Sequence, residues 1–336
     1  MGWLRTVTRW HIQPRRYQQL CAGVLAALVL IVATGGAVRL TGSGLGCTDW
    51  PTCSDDKFAP ALEFHGLVEF VNRLFTGVVS LGVVAAVIGA LFLRPRRRDL
   101  TVLALGLVAG VIGQIALGAL LVLAKLDPRL TIGHFLLSMV LVGDAVLLHH
   151  RASFPDRPSL PGCSLLLTSA QVETKRYPLQ RFRWLLLATA AIVLFAGTIV
   201  TGAGPHGGDD RAARLNIAVR SAVRVHSLLA WLLVAFAVSA AVILDRKSAG
   251  EAARRDSRRL VAAVAIQGGI GYVTYFSGVP ALAVGLHLLG ATLLWVAAVQ
   301  LHATIGTEAR QRTWLAVPGR SGTAVRVVAQ SMPVGS

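Results

Sequence analysis

Charge is scarce in this 336-residue chain, and negative charge scarcer still. Asp, Glu, Lys and Arg together make up 15% of it, with 16 acidic against 33 basic residues, while 54% is hydrophobic. The apolar residues fall in blocks too long for the helices of a soluble domain, which excludes that class and leaves a polytopic membrane protein. A small-residue cleavage site is also lacking after the first apolar block, so no cleavable signal peptide is expected. A bilayer core of about 30 Å takes roughly 20 apolar residues per helical crossing. Eight segments qualify: 20–41, 65–93, 101–124, 131–149, 184–203, 217–244, 260–277 and 281–302. The expected fold is all-α, with eight transmembrane helices.

A net charge of +17 and a pI near 11.3 would suit nucleic acid if the basic residues shared one face. They cluster instead between alternate spans: Arg5, Arg9, Arg15 and Arg16 before the first, "RPRRR" (94–98) after the second, and further groups within 151–183, 246–259 and the tail. The opposite loops hold only Lys57, Lys125, Arg129, Arg211 and Arg214. By the positive-inside rule both termini are cytoplasmic, in the plasma membrane, and the even-numbered helices start at the outer face. The surplus therefore reads as topology and attraction to anionic lipid, with no nucleic-acid partner.

Four cysteines are present, and their placement divides them. Cys47 and Cys53, in "GLGCTDWPTC" (44–53), fall in the first outer loop (42–64), where oxidation is permitted, whereas Cys21 and Cys163 lie in or near the membrane and on the cytoplasmic side. A Cys47–Cys53 disulfide is expected, contributing roughly 2 kcal/mol in the chain-entropy model. Its role is either a staple for the loop or a redox function.

The segments divide into an N-terminal cytoplasmic stretch (1–19), a first four-helix half (20–149), a Pro-containing linker (150–183), a second half (184–303) and a disordered cytoplasmic tail (304–336). The halves resemble each other. Gln114 precedes His134 by twenty residues, as Gln267 precedes His287. "LTGSG" (40–44) matches "VTGAG" (200–204), and "VEFVNRLF" (68–75) lies against "VRVHSLLA" (223–230), setting Asn72 opposite His226. Such duplication predicts two repeated four-helix bundles, each presenting two inward residues: Asn72 with His134, and His226 with His287.

Intramembrane histidines are costly and mark sites. His134, His226 and His287 share one depth near the outer face, and His226 with His287, from facing helices, suits haem iron ligated on both axial sides. Zinc would need further ligands at that depth, and none appears there. Arg39, Arg73, Arg220 and Arg224 near the outer boundary are candidate partners for haem propionates, or interfacial snorkelling residues. On the second helix His65, Glu69 and Asn72 share one face. Asparagine is a poor iron ligand, so a porphyrin on His134 would leave an open position under Glu69 and Asn72, an arrangement suited to oxidation chemistry. Alternatively Glu69 pairs with Arg73 one turn on. Asp144, deeper toward the cytoplasm, receives no chemical role.

"TGGAVRLTGSGLGCTDWPTC" (34–53), "VEFVNR" (68–73), the two Gln-to-His repeats and "VHSLLAWLL" (225–233) together resemble the heme A synthase family over roughly residues 17–303. The resemblance implies oxidation of the C8 methyl of haem O, the product of haem O synthase, to the formyl group of haem A for cytochrome c oxidase. It implies haem b held by His226 and His287 as a cofactor, and His134 on the substrate side. It also implies Glu69 as the family's essential glutamate and Cys47 with Cys53 as its outer-loop disulfide. The family's usual Glu-x-x-His-Arg is departed from at Asn72, which predicts one-histidine ligation of the substrate haem. The rival readings are a dihaem electron carrier of cytochrome b type and a haem-handling assembly factor without catalysis.

Overall fold

The computed structural model describes residues 11–53, 58–60, 62–154, 177–247 and 249–315, without the side chains of 177–179 and 310–315. The first ten residues, Lys57, the middle of the linker with Cys163, and the tail beyond 315 lie outside the described residues.

Among the described residues eight helices follow in order: α1 (Pro14–Leu40), α2 (Phe64–Phe92), α3 (Arg98–Leu123), α4 (Pro128–Ala152), α5 (Tyr177–Ala203), α6 (Val219–Arg246), α7 (Glu251–Phe276) and α8 (Ala281–Leu315). Among the described residues the only β-type pairing is an isolated bridge between Ile12 and Leu93. Seven helices are long and apolar enough to cross a membrane, all but α7. The segment expected as a seventh full span fills only the second part of α7. Glu251, Arg254, Arg255, Asp256, Arg258 and Arg259 occupy its beginning, and Gln267 with three nearby glycines interrupts the apolar remainder.

α1 packs on α2 and α4, and α3 joins α2 to α4, so the first four helices close a ring of neighbours; α5, α6, α7 and α8 close another in the same way. The two rings meet where α8 lies against α1 and α4, and where α4 touches α5. Trp295 of α8 packs against the cores of both rings, and its indole N–H donates to the Met139 carbonyl of α4 at 2.8 Å. Outward surfaces are apolar: Leu81, Val102, Leu228 and Ile266 are each more than 60% exposed. Such faces are at home in lipid, where the backbone is satisfied within each helix.

Two of the helix connections are short and pass through left-handed residues. Lys125 and Leu126 (φ 51° and 62°) turn α3 into α4, and Gly278 and Val279 (φ 79° and 61°) turn α7 into α8. A proline follows each turn at the start of the next helix, where its missing N–H leaves no bond unmade. Asp127 caps α4, its carboxylate accepting from the Arg129 N–H at 2.8 Å. At the other end α8 runs to Leu315, past residue 304 where a tail was expected. The extension is put to use: Glu308 accepts from the Gly250 and Ala253 N–H groups at 3.0 and 3.2 Å, satisfying the start of α7 with a carboxylate. Removing that cap in Glu308→Ala should cost about 1 kcal/mol, read as a lower midpoint in thermal unfolding of the detergent-solubilised chain; a midpoint equal to wild type would show that the clasp contributes nothing.

Candidate functional site

His226 is the eighth residue of α6 and His287 the seventh of α8, so both sit two turns below the same end of the molecule. Their rings stand 6.3 Å apart, centroid to centroid, at an interplanar angle of 78°. Each ring has its Nδ1 engaged. That of His226 lies 3.2 Å from the Val193 carbonyl of α5. That of His287 lies 3.0 Å from the Gln267 amide of α7, whose Nε2 also donates to the His287 carbonyl at 2.8 Å. Neither Nε2 hydrogen-bonds to a described residue. Each imidazole is also seated against a glycine. A Cβ on Gly197 of α5 would stand 3.1 Å from His226 Cε1, and one on Gly271 of α7 would stand 3.0 Å from His287 Cε1. Both slots are closed to any larger residue unless the ring moves.

The first ring of helices repeats the plan with more room. His134 is the seventh residue of α4, and Gln114 of α3 donates to its carbonyl at 3.0 Å and to Ser138 Oγ at 2.6 Å. Gly118 faces it at a looser 3.7 Å, and the His134 Nδ1 is buried without a hydrogen bond. Asn72 does not share that pairing: its Oδ1 accepts from Thr34 Oγ1 of α1 at 2.9 Å. His65 is exposed at the mouth of α2, its Nδ1 2.9 Å from Ser43 Oγ.

The cysteine loop precedes α2 and contacts Glu69 and Arg73 of that helix. The Cys47–Cys53 disulfide is formed, and both half-cystines are buried. Glu69, only 6% exposed, is held from two sides. The Cys47 N–H donates to its Oε2 at 2.9 Å, and Arg73 donates to its Oε1 from Nε at 3.1 Å and Nη2 at 2.6 Å. The i+4 ion pair anticipated from spacing is thus present. The remaining guanidinium nitrogen, Nη1, reaches the carbonyls of Asp49 and Thr52, each at 3.1 Å.

The four arginines considered as anion partners separate. Arg39 is spent on backbone, donating to the His206 and Thr201 carbonyls at 2.6 and 3.0 Å and tying α1 to the loop after α5. Arg73 is spent on Glu69 and the cysteine loop. Arg220 and Arg224 are exposed on the first turns of α6, with no hydrogen bond or ion pair to a described residue. Asp144 is half-buried beside Gly106 of α3. Among the described residues no three His, Cys, Asp or Glu side chains gather to hold a bare metal ion. A cavity of about 470 Å³ lies at the opposite end, lined by His149, Arg255, Asp256 and Thr304 among others, remote from the three outer histidines. Gly197, Gly271, Thr34 and the two loop carbonyls carry no signal in the sequence; finding them requires knowing how each helix is rotated.

A family model described as COX15-CtaA, cytochrome oxidase assembly protein, matches residues 18–299. A protein from Exiguobacterium sibiricum named heme A synthase is 25% identical over 195 residues, 56% of this chain and 61% of that one. A heme A synthase from Bacillus pumilus is 32% identical over 133 residues, 39% of this chain and 43% of that one. A protoheme IX farnesyltransferase from Thermus thermophilus is 40% identical over 75 residues, 22% of this chain but only 12% of that one. This chain therefore covers less than two thirds of the length of each of these relatives.

The glycine slots yield a test that needs no substrate. If His287 holds a haem, Gly271→Ala should displace the imidazole and lower the haem purified with the full chain several-fold, measured as the pyridine haemochrome; Gly118→Ala, where space remains, should not. Equal pigment in Gly271→Ala and wild type would mean that the slot does not seat a ligand.

Proposed function

Because this chain belongs to the COX15-CtaA family of cytochrome oxidase assembly proteins, we propose that it is a heme A synthase. In this reading it oxidises the C8 methyl group of haem O to the formyl group of haem A, for cytochrome c oxidase, with haem b as a resident cofactor. The chain would cross the plasma membrane eight times, α7 included, with both termini cytoplasmic, as two related four-helix units. The matching Gln114–His134 and Gln267–His287 hydrogen bonds, the glycines facing His134 and His287, and the two left-handed outer turns support that relation.

The observation that carries the reading is the His226–His287 pair. With metal–nitrogen bonds of about 2 Å and ring centres about 1 Å behind each nitrogen, two imidazoles on one metal stand about 6 Å apart. The 6.3 Å between these rings fits. The Val193 carbonyl can accept the His226 Nδ1–H and leave that ring's Nε2 for iron, and the Gln267 amide would do the same for His287 once turned to present its unpartnered Oε1, in place of Nε2, to Nδ1. Haem b bound there supplies reversible one-electron chemistry. Arg220 and Arg224, exposed at the outer end of α6, are the available partners for its propionates.

On the other side His134 would hold the substrate's iron. Asn72 would lie over the opposite face, anchored to Thr34 and contributing an amide in place of a ligand. Glu69 Oε2 accepts one hydrogen bond and has a lone pair to spare, so it can take a proton in each of two successive hydroxylations of the methyl carbon, each drawing its oxygen from water and passing two electrons to an external acceptor, and return one to the hydroxyl that leaves the hydrated aldehyde as water. Burial of Glu69 and the cover of the disulfide loop keep bulk water from that step. The farnesyl chain and porphyrin of haem O are both apolar, so a site open to lipid would suit them.

Co-expression with haem O synthase, followed by pigment extraction, tests the proposal. Wild type should yield the formyl haem, and Glu69→Gln should lower its formation by about 10²-fold or more, as expected for loss of a general acid–base group. Haem O recovered unchanged from wild type would favour a dihaem electron carrier or an assembly factor.

A further inference from the structure

The seven-residue ring closed by the Cys47–Cys53 bond touches the buried carboxylate of α2 by two independent routes. One is direct: the half-cystine's own N–H donates to Glu69 Oε2 at 2.9 Å. The other runs through Arg73, which grips Glu69 Oε1 with Nε and Nη2 while Nη1 holds the Asp49 and Thr52 carbonyls, both inside the ring, at 3.1 Å. Every guanidinium nitrogen is thereby committed, and all three point either at the carboxylate or at the loop. A propionate approaching Arg73 would have to displace one of these acceptors.

We propose that Arg73 is a positioning residue that transmits the geometry of the disulfide ring to Glu69, so that the closed ring holds the carboxylate in a single orientation over the substrate. The assignment rests on the reading of Glu69 as the reacting carboxylate. A planar guanidinium is the group that can do this, because its forked donors span two acceptors on one side and a carboxylate on the other. An ammonium in the same place keeps the charge and loses the span. The ring matters for the same reason: opening it frees the Cys47 N–H and lets the two carbonyls drift from Nη1, leaving Glu69 with a partner that is itself unanchored. Pro51 stiffens the segment that carries those carbonyls, and the bond between Cys47 and Cys53 makes the stiffness bear on Glu69.

The test uses the full chain in lipid nanodiscs, as wild type, Arg73→Lys, and wild type treated with a phosphine reductant. Infrared difference spectra against Glu69→Gln isolate the carboxylate stretches of Glu69 without any need for turnover. The expected result is that these bands shift both in Arg73→Lys and on reduction of wild type, and that kcat falls by about 10²-fold, as for a reacting group displaced by an ångström, with KM for haem O nearly unchanged. Bands unmoved by reduction would overturn the proposal. So would a raised KM with kcat retained in Arg73→Lys, which would make Arg73 a substrate anchor. Bands that shift in a wild-type protein forming no formyl haem would sustain the coupling and defeat the functional reading instead.

Discussion

An imidazole two turns inside an apolar helix costs free energy unless something occupies its polar edge. In this chain two such imidazoles, His226 and His287, stand 6.3 Å apart with their planes crossed at 78°, and the helices around them are arranged to keep them there. α5 contributes the Val193 carbonyl and the gap at Gly197; α7 contributes the Gln267 amide and the gap at Gly271. A substitution that fills either gap or frees either ring would leave a polar group unsatisfied in lipid, where water offers no alternative partner. The seating of the two imidazoles and the fold of the second ring of helices are in this sense one problem.

The first ring of helices solves a different one. Its histidine, His134, has a looser seat and a buried Nδ1 with no hydrogen bond, and Asn72 of α2 is tied to Thr34. A site that must admit and release its occupant gains from such slack, while a resident cofactor gains from a tight slot. The acid is placed accordingly. Glu69 lies under a covalently closed loop and a committed arginine, both on the outer side, so the rigid chemistry of "GLGCTDWPTC" serves a carboxylate that the apolar helix could not hold alone.

Much of this was legible before any coordinates, because membrane helices must be apolar along their length and their loops carry charge by side. The eight helices fall where hydropathy put them, within a few residues at most outer ends. The inner ends were read short: α1 begins at Pro14 and α8 continues to Leu315, since helices persist into the aqueous layer where hydropathy has no signal. α7 is the opposite case, a helix whose charged beginning and glycine-rich end dilute the apolar signal. The cysteine pair was legible in the sequence, and the disulfide is formed; His226 and His287, singled out there as a pair, have their rings 6.3 Å apart. What the residues face was not. Arg39 looked like an anion partner and proves to bind two carbonyls, and Arg73 looked the same and binds Glu69 and the loop. Helix rotation and loop conformation decide such contacts, and neither has a period in the sequence.

Electron paramagnetic resonance of the ferric protein, purified with its pigment and without haem O synthase, bears most directly on the paired imidazoles. Ring planes 78° apart predict a strongly anisotropic low-spin signal, typical of crossed axial imidazoles, that is lost in His226→Ala and in His287→Ala alike. A low-spin signal that survives in either variant, or its absence from wild type holding a full complement of haem, would contradict ligation by this pair.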